Sequence, residues 1–160
     1  MNTQKVLIVR GRLLTDFDIE HLQRLASPLS VEIFTEGHKL LSTMSKLDPS
    51  NIPLVIIDIQ ARGNDGDGFS LVRQYNALFP YNTFTRFILI GAYPTIDEEI
   101  TTNLGAYFLE YPFENEAANC HLNLIQACIH SPRRYSHQIP DSFPHSSKSS
   151  APPTPSKGNK

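Results

Sequence analysis

Short runs of consecutive apolar residues alternate, over the first 130 residues, with stretches in which apolar residues recur every three or four positions. The runs predict strands that are apolar on both faces, and the stretches predict amphipathic helices. The first pair is a strand over residues 5–9 and a helix over 15–26, with Thr15 and Asp18 as a capping box. The other predicted strands cover 31–34, 54–57, 87–90 and 107–109, and the other helices cover 36–47, 69–79, 95–103 (capped by Thr95) and 116–129.

Residues 131–160 differ in composition from this alternating part. The whole chain has 14 basic and 16 acidic residues and a net charge of −2. The last thirty residues contain 5 of the basic residues, 1 of the acidic ones and 6 of the 12 prolines, which leaves a net charge of −6 for residues 1–130. We therefore predict one acidic domain over residues 1–130 and a disordered, basic, Pro- and Ser-rich tail over 131–160.

Several classes of protein lack their sequence signals here. No apolar run of 18 residues and no signal peptide is present, so we expect a cytoplasmic protein without a membrane partner. Cys120 and Cys128 have neither disulfide nor zinc spacing. The six histidines show no ligand spacing and are predicted to lie at the surface, and no nucleophile elbow occurs. Basic residues in the tail are too dilute for specific nucleic-acid recognition, and we expect no enzyme activity.

A resemblance emerges at the carboxyl ends of the predicted strands, where open parallel sheets bind their ligands. Asp58 ends an apolar strand and is followed by Asp65-Gly66, by a strand that ends in Gly91-Ala92, and by Tyr111-Pro112-Phe113. This order and spacing resembles the receiver domain of bacterial response regulators over residues 4–130. The resemblance implies an α/β fold with a doubly wound, five-stranded parallel sheet of flavodoxin-like topology and strand order 2-1-3-4-5.

The resemblance also assigns roles to these positions. In receivers an aspartate accepts a phosphoryl group, assisted by a magnesium ion on two acidic residues, a hydroxyl group and a lysine. Asp58 matches the phospho-acceptor, but Arg10 and Gly11 stand at the two acidic positions. Gly91 stands at the hydroxyl position and Tyr111 at the lysine position. We therefore expect magnesium binding to be weak or absent, no other cofactor, and aspartyl phosphorylation that is lost or altered.

An alternative use of the degenerate pocket follows from its charges. Neighbouring strands lie about 4.8 Å apart, so Arg10 is predicted to pair with Asp58 and to replace both metal and phosphate. Arg12 and Gln60 complete the candidate pocket together with Gly11, Gly91 and Tyr111.

Aromatic residues near the last strand predict an interaction surface on the face formed by helix four, strand five and helix five. Aromatic side chains are favoured interface anchors. In receivers this face docks partners or forms dimers, so the resemblance implies a protein partner and allows a homodimer. The residues concerned are Tyr93, Tyr107, Phe108 and Tyr111.

Three functions remain open from the sequence. The first is a stand-alone signalling or adaptor module that acts by protein contact, with a histidine kinase, another regulator or a machine component as partner. The second is a small-anion or ligand sensor that uses the pocket of Arg10, Arg12, Asp58, Gly91 and Tyr111. The third is a working phospho-receiver at Asp58.

Overall fold

A computed structural model of the chain describes residues 4–61, 67–82, 84–113 and 118–130. Strands and helices alternate along these residues, as predicted, with a short 3-10 helix at Pro49–Asn51. The strands are β1 (Lys5–Val9), β2 (Ser30–Phe34), β3 (Leu54–Asp58), β4 (Arg86–Gly91) and β5 (Tyr107–Glu110). The helices are α1 (Asp16–Ala26), α2 (Gly37–Lys46), α3 (Gly68–Leu78), α4 (Pro94–Asn103) and α5 (Ala118–His130).

The starts of two helices show how local sequence sets their boundaries. The predicted capping box of α1 is confirmed, because the Thr15 side chain accepts from the Asp18 N–H and the Asp18 side chain accepts from the Thr15 N–H. The predicted cap of α4 is wrong, since that helix begins at Pro94 with Tyr93 as its N-cap and without a side-chain cap bond. Proline suits the first helical position because its missing N–H would have no partner there.

The five strands form one parallel sheet in the order β2-β1-β3-β4-β5. This confirms the predicted fold class and strand order. Val9 lies beside Ile57, and Asp58 lies beside Ile90. The loops that follow β1, β3 and β4 therefore leave the same edge of the sheet side by side, which is where a doubly wound fold places its site.

Two apolar layers cover the sheet. One face of the sheet packs against α2, α3 and the inner side of α4, and the other face packs against α1 and α5. All five residues of β3 are buried, including Asp58. A fully buried isoleucine or leucine contributes about 1.5–3 kcal/mol, so the central strand fixes the position of the aspartate at its end.

Some predictions fall on parts of the chain outside the described residues. These are Asp65 and Gly66, the tail over residues 131–160, and the side chain of Cys120. The side chain of Cys128 is buried. No helix within the described ranges has both the length and the hydropathy needed to cross a membrane.

Candidate functional site

The Asp58 carboxylate lies at the end of β3 and is completely enclosed, with 0% of the residue exposed. Its Oδ2 atom accepts hydrogen bonds from the backbone N–H groups of Gly11, Leu13 and Leu14, at 3.1, 2.8 and 3.1 Å. Its Oδ1 atom accepts from the Gln60 N–H at 2.7 Å. Hydrogen bonds to an ionised carboxylate are about twice as strong as neutral ones. The carboxylate thus joins the β1–α1 loop to the β3–α3 loop.

The two loops also touch backbone to backbone. A Cβ atom at Gly11 would lie 2.4 Å from the Ala61 nitrogen and 2.6 Å from the Gln60 carbonyl carbon. The Ala61 N–H is held in place because it donates to the Asp58 carbonyl oxygen at 2.8 Å. Position 11 therefore has no room for a side chain of any kind, and a carboxylate could not occupy it without moving a loop.

The predicted Arg10–Asp58 ion pair is wrong. The Arg10 guanidinium instead pairs with Asp16 in the first turn of α1, with Nη1 2.5 Å from Oδ1, and Arg10 Nε donates to the Leu14 carbonyl oxygen at 3.3 Å. The pair forms at the surface because the backbone donors of the β1–α1 loop already cover Asp58. A surface pair of this kind contributes about 0–1 kcal/mol.

Neighbouring side chains surround Gly91 closely, at the position to which the resemblance assigns a hydroxyl group. A Cβ atom there would lie 2.5 Å from Asp97 Oδ2, 2.5 Å from Ile59 Cδ1 and 3.0 Å from Phe108 Cε1. The Asp97 carboxylate accepts from the Tyr93 N–H at 3.0 Å, which holds it at the start of α4. The inward Phe108 ring and this carboxylate together occupy the space beside Gly91.

Tyr111 is bound to α1. Its hydroxyl donates to Asp18 Oδ2 at 2.7 Å, and the same oxygen accepts from the Thr15 N–H and Oγ1 at 2.9 and 3.0 Å. Burial and the Asp18 carboxylate raise the pKa of Tyr111 to about 12. The phenol therefore stays protonated and acts as a neutral donor, where a lysine would have supplied a positive charge.

A cluster of rings that the sequence did not predict lies next to Tyr111. Phe113 lies between Tyr111 and His121 and meets both rings edge-to-face, at centroid distances of 5.4 and 4.8 Å, and His21 lies 5.9 Å from His121. His121 is only 4% exposed, and its Nδ1 has no hydrogen-bond partner among the described residues. The prediction of a surface histidine is wrong at this position. The signal was present, because residues 121, 125 and 128 follow the helical period of the buried face of α5.

Acid is expected to destabilise the domain through this histidine pair. Burial lowers the pKa of both His21 and His121, with a further contribution from Arg24 at His21 and from His21 at His121. The unfolded chain takes up these protons near a pH of about 6.5, before the folded domain does. The free energy of unfolding therefore keeps its full value above that pH and decreases as the pH falls below it. His121→Leu should remove about half of the histidine-dependent loss of melting temperature between pH ~7.5 and ~5.

The control for this titration is His130→Leu, which makes the same change at an exposed position of the same helix. Because the side chain is exposed, this change should alter the pH profile of the melting temperature less than His121→Leu does. Identical profiles for the two variants would contradict the assignment to the buried pair.

The predicted aromatic surface does not form a single patch. Tyr107 packs into the α1/α5 side of the sheet and Phe108 into the opposite side, because neighbouring strand residues point to opposite faces. Tyr111 is partly buried against α1. Of these four residues only Tyr93 is strongly exposed, at 66%, and it is joined by Ile96 on α4, at 61%.

Magnesium does not fit the residues at the metal-holding positions. The ion requires carboxylate oxygens in a near-octahedral array. Gly11 has no room for a side chain, Arg10 is cationic, and the Asp58 oxygens already accept from four backbone donors. Among the described residues, no group of three or more His, Cys, Asp or Glu side chains is placed to hold a metal ion.

An open groove of about 510 Å³ lies above the covered Asp58 carboxylate. Some residues of the predicted pocket line this groove, but Asp58, Gly91 and Tyr111 do not. The residues that line it are Arg10, Gly11, Arg12, Thr35 and Gln60.

Comparison with known proteins gives the class of this fold. No protein-family model and no curated protein matches the sequence. Among solved structures, the receiver domain of an HD domain-containing protein from Pseudomonas fluorescens Pf-5 is 20% identical, with a TM-score of 0.59 over 82% of this chain and 92% of that one. A CheY-like receiver domain from Methylobacillus flagellatus is 22% identical, with a TM-score of 0.56 over 76% and 98%. The receiver domain of a histidine kinase from Syntrophus aciditrophicus is 20% identical, with a TM-score of 0.57 over 88% and 99%.

These structures show that the chain has the receiver fold. At the positions to which the resemblance assigns the acidic, hydroxyl and lysine side chains, this sequence has Arg10, Gly11, Gly91 and Tyr111.

Proposed function

We propose that this protein is a cytoplasmic signalling or adaptor module of the receiver fold, which acts by protein–protein contact. In this proposal Asp58 is not phosphorylated, and the protein catalyses no reaction. The partner belongs to one of three kinds: a histidine kinase, another regulator or a component of a larger machine.

The observation that carries the proposal is the enclosure of the Asp58 carboxylate, which is 0% exposed and accepts four backbone N–H groups. An attacking carboxylate oxygen needs a free lone pair, access to the phospho-donor, and a cation that offsets the charge on the transferring group. Asp58 is enclosed, its Oδ2 atom accepts three bonds from the β1–α1 loop, and its Oδ1 atom accepts one from the β3–α3 loop. The phosphoryl chemistry would first have to break these bonds, and the described residues around Asp58 supply neither a metal site nor a lysine.

Protein contact is supported by the apolar surface at the start of α4. Tyr93 is the N-cap of α4 and Ile96 lies in its first turn, and both side chains are mostly exposed. Exposed aromatic and apolar side chains serve as anchors at interfaces. This pair, rather than the four aromatic residues predicted from the sequence, is the part of the face that a partner or a second copy would reach.

Treatment with acetyl phosphate and magnesium should leave the intact mass unchanged. The same treated and untreated protein, used as bait in a lysate of its source organism, should capture the same partner. The partner should be lost with Tyr93→Ala/Ile96→Ala and retained with Tyr81→Ala, which removes an even more exposed tyrosine beyond the end of α3.

A receiver domain of known activity, treated in parallel, should gain one phosphate and shows that the donor is competent. A stable mass gain on this protein that disappears in Asp58→Asn would identify a working phospho-receiver and overturn the proposal. Capture that is equally weakened by all of the tyrosine variants would overturn the assignment of the contact to α4.

A further inference from the structure

We propose that the groove above Asp58 is a binding site for a small phosphorylated molecule of the sugar phosphate class. The groove residues follow three adjacent strands: Arg10 to Arg12 follow β1, Thr35 follows β2 and Gln60 follows β3. Gly91 and Tyr111, at the ends of β4 and β5, do not line it. The site thus lies towards the β2 edge, beside the position at which a receiver would bind its cation.

The lining presents hydrogen-bond donors that have no partners. Among the described residues, the side chains of Arg12, Thr35 and Gln60 make no hydrogen bond or ion pair, and all three are exposed. A guanidinium, a hydroxyl and an amide converge on one cavity, and none of the described lining residues is acidic. A planar guanidinium fork matches the oxygens of a phosphate group. The lining chemistry therefore selects an anion.

The negative charges of Asp58 and Asp16 do not prevent an anion from binding in the groove. The Asp58 carboxylate is buried, accepts four backbone N–H groups, and presents no oxygen to the groove. The Asp16 carboxylate sits at the rim and holds Arg10 at the surface, where such pairs exchange readily. An entering phosphate would compete with Asp16 for Arg10 and would bind Arg12 directly.

The size and the lining narrow the class of ligand. Ligand pockets typically have volumes of about 300–1,000 Å³, and a groove of about 510 Å³ exceeds what a bare phosphate fills. No aromatic side chain lines it among the described residues, so a nucleobase would lack the stacking partner that it usually finds. Thr35 and Gln60 suit the hydroxyl groups of a sugar.

Titration calorimetry of the full chain with glucose 6-phosphate, inorganic phosphate and AMP tests the site. Glucose 6-phosphate should bind with a saturable isotherm and more tightly than the other two. Arg12→Ala should weaken its binding about 10-fold or more, and Asp16→Asn should strengthen it about 3-fold because the competing carboxylate is removed. Arg24→Ala, which removes the same charge from an exposed site at the other end of α1, should change it less than about 2-fold.

Two results would overturn the site. One is the absence of saturable binding below about 10 mM; the other is an equal effect of Arg12→Ala and Arg24→Ala, which would mean that only the net charge matters. Tighter binding of inorganic phosphate or AMP than of glucose 6-phosphate would overturn the ligand class. Arg12 and Asp16 are exposed, so unchanged melting temperatures will show that the variants fold. The groove does not depend on whether Asp58 is phosphorylated, so this proposal and the proposed function fail separately.

Discussion

Asp58→Ala is expected to lower the free energy of unfolding by about 4 kcal/mol, because it leaves four backbone N–H groups of two loops without their buried acceptor. Asp58→Asn should cost about 2 kcal/mol. Its amide oxygen can still accept from Gly11, Leu13 and Leu14, while its NH₂ group would face the Gln60 N–H. Urea denaturation measures the free energy of unfolding of both variants. In a site crowded with carboxylates, removing one would relieve repulsion and raise stability. The sign of the effect therefore distinguishes such a site from a carboxylate that is held by backbone N–H groups, as Asp58 is here.

The matched control for this aspartate is Asp48→Ala. Asp48 is exposed and accepts one backbone bond, from the Ser50 N–H at 3.0 Å, so its replacement should lower the free energy of unfolding much less than Asp58→Ala does. An effect of Asp58→Ala no larger than that of Asp48→Ala would show that the carboxylate does not join the two loops.

Gly11→Ala is expected to destabilise the domain by about 3 kcal/mol, because the added methyl group would press on the backbone of Ala61 and Gln60. Backbone atoms cannot turn aside as a side chain can, and Ala61 is fixed by its hydrogen bond to Asp58. The β1–α1 loop would have to lift, and this would also lengthen the bonds to the carboxylate. Thermal and urea unfolding measure the loss.

Gly105→Ala provides the comparison for this glycine. Gly105 has a φ of 76° and nothing within 4 Å of the position of a Cβ atom, so alanine there is strained but not crowded. It should cost about 1 kcal/mol. A smaller loss at position 11 than at position 105 would mean that the two loops are free to separate.

The fold was predictable from the sequence because each of its elements has a local signal. The apolar run that ends at Asp58 predicts a strand buried on both faces, and Thr15 with Asp18 predicts the start of α1. Both features depend only on residues close in the chain. The resemblance then supplied the strand order, which the register confirms.

The site was less predictable because its contacts depend on how loops turn in space. Adjacent strands suggested that Arg10 would reach Asp58, but the β1–α1 loop presents its N–H groups to the carboxylate and directs the guanidinium to Asp16. The crowding at Gly11 and Gly91 likewise comes from residues distant in the chain. The packing of Tyr107 and Phe108 on opposite faces of the sheet was predictable from the sequence, since neighbouring strand residues point in opposite directions.

Close packing at Gly11 has a consequence for how this domain can change over generations. A path of single substitutions from this sequence to an acidic cation site must place a side chain at position 11, where a Cβ atom alone would lie 2.4 Å from a backbone nitrogen. Every such path begins with a loss of stability, because no bound cation stabilises the domain at that stage. A typical domain has only about 5–15 kcal/mol of stability in total. The closed geometry therefore favours new uses of the surface over the evolution of a metal site at this position.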